Sequence, residues 1–149
     1  MQPFRASPEQ LEWERSCSYA ITSDVIWKLD AYRAALFLQH LSLSDYKTIC
    51  ATRTDGGVGS QLVRAVGSIS ANLGEGYSRS TRADRLRFLG YSLGSARECV
   101  TWYHGARDVI AESVIDERLV LLTRIRSLVL GLIRSLRVDT STRTKFEPG

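Results

Sequence analysis

Residues 68–79 read SISANLGEGYSR. The stretch is poor in large apolar groups and holds two glycines, which argues against a core helix. Its spacing is too regular for a loop. Extended back to Val58 and wound at about 100° per residue, it separates into three stripes. Val58, Leu62, Val66, Ile69 and Leu73 form an apolar line. Gln61, Ser68, Asn72, Glu75 and Arg79 form a polar line roughly 100° away from it. Ser60, Gly67, Ala71, Gly74 and Ser78 form a line of small residues. This predicts a helix running through the quoted stretch. A mid-helix glycine costs about 1 kcal/mol relative to alanine. Gly67 and Gly74 share a stripe, so they predict close approach of another backbone. The competing reading ends the helix at Asn72 or Gly74, as C-cap residues.

Working outward, Ser7-Pro8-Glu9-Gln10 reads as a helix start, with a capping serine and proline at the first helical position. It predicts a short helix to about residue 18. Ser23 or Asp24 starts a second helix over VIWKLDAYRAALFLQHL, with Trp27, Ala31, Ala34, Leu38 and Leu41 at helical spacing. LSLSDYKTICATRTDGG is open between helix and loop, and Thr54-Asp55-Gly56-Gly57 is a stop. Ser80 or Thr81 caps a helix from about residue 82 to Glu112. Leu86, Leu89, Leu93, Ala96 and Val100 give it one apolar face; Phe88, Tyr91, Ser95, Cys99 and Trp102 give a second, nearly opposite. A helix on the surface of a lone subunit needs one apolar stripe, so two predict a second partner, either more of the same chain or another subunit. The last helix is predicted from about Ile115 to Val138, capped by Ser113, with Leu122, Ile125, Val129 and Ile133 within a broad apolar face.

No period-two alternation occurs, so the expected class is all-α: an antiparallel up-and-down four-helix bundle over residues 23–138. Residues 1–22 form an N-terminal extension and 139–149 a polar tail. With 149 residues the chain is one domain. Its net charge of +4 comes from 17 arginines and 3 lysines against 16 acidic residues. Arginine's planar fork suits phosphate and carboxylate and stacks on flat rings, which tilts the expected partner toward nucleic acid or an acidic protein. Cys17, Cys50 and Cys99 show neither a disulfide framework nor zinc spacing, and read as free thiols in a reducing compartment. The N-terminus lacks the apolar core of a signal peptide. Arg124, Arg126 and Arg134 interrupt the richest apolar run, against a membrane span. The expected location is the cytoplasm.

The stretch SQLVRAVGSISANLGEGYSR, followed by RFLGYSLGSARECVTWY, resembles a known family: the four-helix-bundle proteins encoded in intervening sequences of 23S ribosomal RNA genes. The resemblance rests on Ser60, Gln61, Arg64, Ala65, Ser68, Ile69, Ala71, Asn72, Glu75 and Gly76, continued by Phe88, Leu89, Gly94, Ser95 and Glu98. It extends over about residues 24–137. Ser70 stands where the family usually has proline, and the first loop is longer than usual. The resemblance implies an antiparallel four-helix bundle assembling as a homo-oligomeric, pentameric ring, and it implies no activity. More distantly, the chain is similar to the accessory protein of diversity-generating retroelements, which implies a basic ring that binds nucleic acid and a reverse transcriptase.

Arg79, Arg82, Arg85 and Arg87 crowd a predicted helix–helix corner beside Tyr77, with Arg64 on the preceding helix. Guanidinium forks grip phosphate oxygens and an aromatic can stack on a base, so these five are the candidate nucleic-acid-binding residues. The bland alternative is a solvated corner paired locally with Asp84. Gln61, Ser68, Asn72 and Glu75 read as a structural polar network fixing helix register, with Glu75 answered by Arg64 or Arg97. Catalytic residues, a metal and a cofactor are not expected. His40 and His104 lack the acidic residue three before them that a di-iron helix pair needs. GGVG at 56–59 lacks the lysine of a phosphate loop. Trp13, Trp27 and Trp102 read as packing anchors. Two functions follow: a non-enzymatic nucleic-acid-binding accessory protein, or a scaffold for an acidic protein partner.

Overall fold

The computed structural model describes residues 5–52 and 56–143, with the backbone alone for 139–143. Among the described residues it is all-helical, with six α-helices, one 3-10 turn and no strand. The helices are α1 (Pro8–Ser16), α2 (Tyr19–Thr22), α3 (Asp30–Cys50), α4 (Val58–Tyr77), α5 (Arg82–Gly105) and α6 (Glu112–Arg143); the 3-10 turn spans Val25–Lys28.

α4 runs unbroken through the quoted stretch to Tyr77, so neither Asn72 nor Gly74 ends it. Its apolar stripe is the chain's core: Leu62, Val66, Ile69 and Leu73 are almost fully buried. α3 packs on α4 and α6, and α5 packs on α4 and α6, so the four long helices close a cycle around one core. Leu38 from α3, Leu93 and Cys99 from α5, and Leu122, Ile125 and Val129 from α6 fill it.

The starts follow capping chemistry. The Ser7 hydroxyl accepts from the Gln10 amide, and Thr81 from the Asp84 amide. Asp24 caps the Ile26 amide as expected, but it opens the 3-10 turn rather than α3. Leu29, in extended conformation, separates that turn from α3. α3 then continues through the ambiguous segment to Cys50. Gly57, at φ 82°, lies in the left-handed region that favours glycine and precedes α4. Thr54 and Asp55 of the expected stop lie outside the described residues. α5 ends at Gly105, seven residues before the expected end, and α6 starts at Glu112, so Ser113 is helical rather than a cap. α6 also runs beyond Val138 to Arg143; residues 144–149 of the expected tail are not among those described.

The N-terminal segment is docked. Trp13 packs on Trp27, Phe37 and His40, with ring centroids 6.5, 5.5 and 5.8 Å away. Glu14 pairs with Arg33 of α3 at 3.3 Å. Gln10 is 1% exposed, and its side-chain oxygen accepts from Arg124 of α6 at 2.5 Å. Trp13 and Trp27 are packing anchors, in keeping with their size.

The glycines correct the sequence reading. A Cβ at Gly67 would meet nothing within 4 Å, and at Gly74 only Ile26 at 4.0 Å. The close approaches within the chain occur elsewhere. A Cβ at Gly76 would lie 2.9 Å from the Phe88 Cβ, and one at Gly59 3.1 Å from the Tyr46 ring. On α5, the same chain takes up part of the second apolar face: Cys99 belongs to the core, Phe88 and Trp102 are half-buried, and Tyr91 is 53% exposed.

Candidate nucleic-acid interface

The turn between α4 and α5 gathers Arg79, Arg82, Arg85 and Arg87 at one corner. Thr81 creates it by capping α5, and the absent side chain of Gly76 lets Phe88 sit directly against α4. The arginines are more engaged than their number alone implies. Arg79 pairs with Glu75 one turn earlier and lies 4.9 Å over the Phe88 ring. Arg87 covers the same ring at 5.5 Å and pairs with Asp84 at 2.8 Å. Arg85 Nε donates to the Arg79 carbonyl oxygen at 2.6 Å. Arg82 makes no ion pair among the described residues. Four guanidiniums thus face two carboxylates, and the excess is positive.

Arg64 does not join the corner. It lies thirteen residues before the last residue of α4, about 20 Å along the axis at roughly 1.5 Å per residue. The corner therefore has four arginines rather than five.

The polar stripe is wired along its own helix. The Ser68 hydroxyl donates to the Arg64 carbonyl at 2.9 Å, and Asn72 Nδ2 donates to the Ser68 carbonyl at 2.8 Å. Glu75 is answered by Arg79, not by Arg64 or Arg97, and both partners are half-exposed. Gln61 is exposed. The polar contacts that do cross between helices come from other residues. The Ser70 hydroxyl donates to Gln39 Oε1 at 3.0 Å, and Ser92 donates to the Ile69 carbonyl at 3.0 Å.

A buried ion pair has no counterpart in the sequence pattern. Asp45 of α3 accepts from Arg118 Nε at 2.9 Å, from the Arg118 terminal nitrogen at 3.2 Å and from the Tyr103 hydroxyl at 2.7 Å. Their sequence separations of 73 and 58 leave no local spacing to read. Burial pushes the Tyr103 phenol's pKa upward, and the adjacent Asp45 carboxylate adds to the rise. Burial opposes the Arg118 charge, but the Asp45 hydrogen bonds and charge outweigh it and leave that pKa raised. Arg124, buried beside Gln10, is lowered by desolvation, with Asp30 and Glu14 opposing the shift. Both arginines line a half-open cavity of about 380 Å³ between α1, α3 and α6, floored by Phe37 and Leu41. Arg118 is held by Asp45 at 2.9 Å and by the exposed Glu117 at 3.4 Å, so the geometry there is that of a structural lock.

No group of metal-ligating side chains gathers among the described residues. No described helix is long and apolar enough to cross a membrane. None of the three cysteines forms a disulfide; burial pushes the Cys99 thiol up to about 12.

Against known proteins, residues 28–130 match the family model described as 23S rRNA-intervening sequence protein. The chain belongs to that family. The 23S rRNA-intervening sequence match includes α3, α4, α5 and most of α6, with the arginine corner inside it. Among solved structures, the chain is similar to a crystal structure of a protein of unknown function from the S23 ribosomal protein family of Bacteroides thetaiotaomicron. That match has a TM-score of 0.65 at 22% identity and covers 69% of this chain and 97% of the other. It supports the fold, and α1 lies outside the family match. No curated protein matches the chain.

Proposed function

We propose that this family member is a non-enzymatic accessory protein that binds RNA or DNA through the α4–α5 corner, as a basic homo-oligomer in the cytoplasm. In this reading the cycle of α3, α4, α5 and α6 is an antiparallel up-and-down four-helix bundle, and copies join in a pentameric ring. The observation that carries the reading is the corner itself. Arg82, Arg85 and Arg87 lie on the first turns of α5 beside Arg79, with two carboxylates against four guanidiniums. A ring would repeat this modest excess into a belt tracking a phosphate backbone. The open glycines Gly67, Gly90 and Gly94 support assembly, because each gives up helix stability with no neighbour among the described residues to offset it.

The test is binding of bulk RNA across a salt series. Counterion release makes the logarithm of affinity fall linearly with that of salt concentration. Affinity that stays flat from low to physiological salt refutes the reading. A second reading, a scaffold for an acidic protein such as a reverse transcriptase, draws on the same corner and on the exposed apolar side chains of Tyr19, Val25 and Val120. Retention of an acidic protein, with no retention of nucleic acid on the same column, selects it.

A further inference from the structure

Tyr91 stands on the outer edge of α5, 53% exposed. Its surroundings are unusually clear. Gly90 precedes it and Gly94 follows one turn later, and a Cβ at either would meet nothing within 4 Å. Both glycines are interior to α5, where each costs about 1 kcal/mol relative to alanine. Nothing among the described residues explains the pair. What they have in common is a ledge, free of side chains, beside an exposed phenol ring.

Charge and aromatic surface meet at this ledge. Arg87 lies one turn before Tyr91 on the same helix, its side chain 56% exposed. Phe88 meets Tyr91 edge-on at 90°, with centroids 5.7 Å apart. The Phe88 face is already covered by the Arg79 and Arg87 guanidiniums. At 53% exposed, against 40% for Tyr77, Tyr91 is the more open of the two exposed tyrosines near the corner. A positive edge beside an uncovered flat ring complements a chain of phosphates whose bases are unstacked. In a duplex the bases are stacked on one another and paired, so their flat faces do not reach a surface ring. Apolar protein side chains would match the ring but not the guanidiniums around it.

We propose that the Tyr91 ledge is a stacking subsite for single-stranded nucleic acid: one base lies on Tyr91 over Gly90 and Gly94, with Arg87 on a flanking phosphate. This deepens the nucleic-acid reading above and rests on it. Base–aromatic stacking is worth about 1–3 kcal/mol per base, so its loss lowers affinity by roughly 5- to 150-fold.

The test is fluorescence anisotropy with a labelled single-stranded RNA oligonucleotide and with a duplex of the same length. It compares the intact protein with Tyr91→Ala, Gly94→Ala and Arg82→Ala. The expected result is tighter binding of the single strand. Tyr91→Ala weakens it by about fivefold or more with an unchanged salt slope, and leaves the duplex unaffected. Gly94→Ala weakens single-strand binding while raising the melting temperature, a combination that a merely structural glycine does not produce. Equal affinity for both probes overturns the subsite, as does an unchanged Tyr91→Ala beside a weakened Arg82→Ala; either result leaves the basic corner standing. A fall in molar mass for Tyr91→Ala with oligonucleotide affinity intact also overturns it, by assigning the ledge to a second copy of the chain. Absence of binding to either probe at low salt removes the nucleic-acid reading and the subsite together.

Discussion

Replacing Asp45 with leucine tests the physical account of the core at its most demanding point. The side chains of Asp45 and Arg118 are 5% and 11% exposed, and Tyr103 is fully buried. Removing the carboxylate leaves the guanidinium only the exposed Glu117, 3.4 Å away, as counter-ion in a site that water scarcely reaches. Breaking a buried pair in this way costs about 3–5 kcal/mol. For a chain of this size each kcal/mol moves the melting temperature by about 2–4 °C, so Asp45→Leu should lower it by roughly 6–20 °C. Removing both charges, as Asp45→Leu with Arg118→Met, should recover much of the loss, because a well-packed apolar pair avoids the desolvation penalty. The Tyr103 hydroxyl then lacks its acceptor, a residual cost of about 1–3 kcal/mol. Adding Tyr103→Phe removes that too and should return the stability to within about 1 kcal/mol of the parent. Urea denaturation followed by circular dichroism reads all four proteins. If Asp45→Leu costs under about 1 kcal/mol, or the triple variant is no more stable than the single one, Asp45 and Arg118 do not form a structural lock.

The glycines give a paired prediction. Gly76→Ala should destabilise by about 1–3 kcal/mol, since its methyl would press on Phe88 at 2.9 Å, whereas Gly67→Ala should stabilise the isolated chain by about 1 kcal/mol. Loss of stability or of oligomer mass in Gly67→Ala places a neighbouring copy on that stripe. Cys99 should resist a thiol reagent at pH 8 until the protein unfolds, because burial holds its thiol up to about 12 and the thiolate is the reactive form. As pH rises past the ordinary thiol value of 9.0, the unfolded chain ionises first, so the Cys99 contribution to stability should fall between there and about 12.

Some elements are legible in the sequence and others leave no mark there, and the division has a physical cause. Repeats at three and four residues are visible in a string of letters. They expose the apolar line of α4, the Ser7 and Thr81 caps, and the local pairing of Arg87 with Asp84. The same local rule explains Glu75, whose partner is Arg79 one turn away, not the more distant Arg64 or Arg97. Packing between helices leaves no such trace. Asp45, Tyr103 and Arg118 meet only once α3, α5 and α6 are assembled, and Gln10 reaches Arg124 across 114 positions. Gly67 and Gly76 look alike in the sequence, yet only the second has a neighbour. Residue type alone groups Arg64 with the corner, and helix length removes it. Of the candidate site, the arginine corner is legible because its members are adjacent in sequence. The Tyr91 ledge is not, because its emptiness is a property of the packed surface.

The most direct test of the nucleic-acid reading compares RNA affinity across a salt series for the intact protein and for Arg82→Ala. The account predicts a steep negative slope for the intact protein, and for the variant a slope shallower by roughly 0.7 for each single-strand phosphate that Arg82 neutralises. Identical slopes for the two proteins, or affinity indifferent to salt, would contradict it.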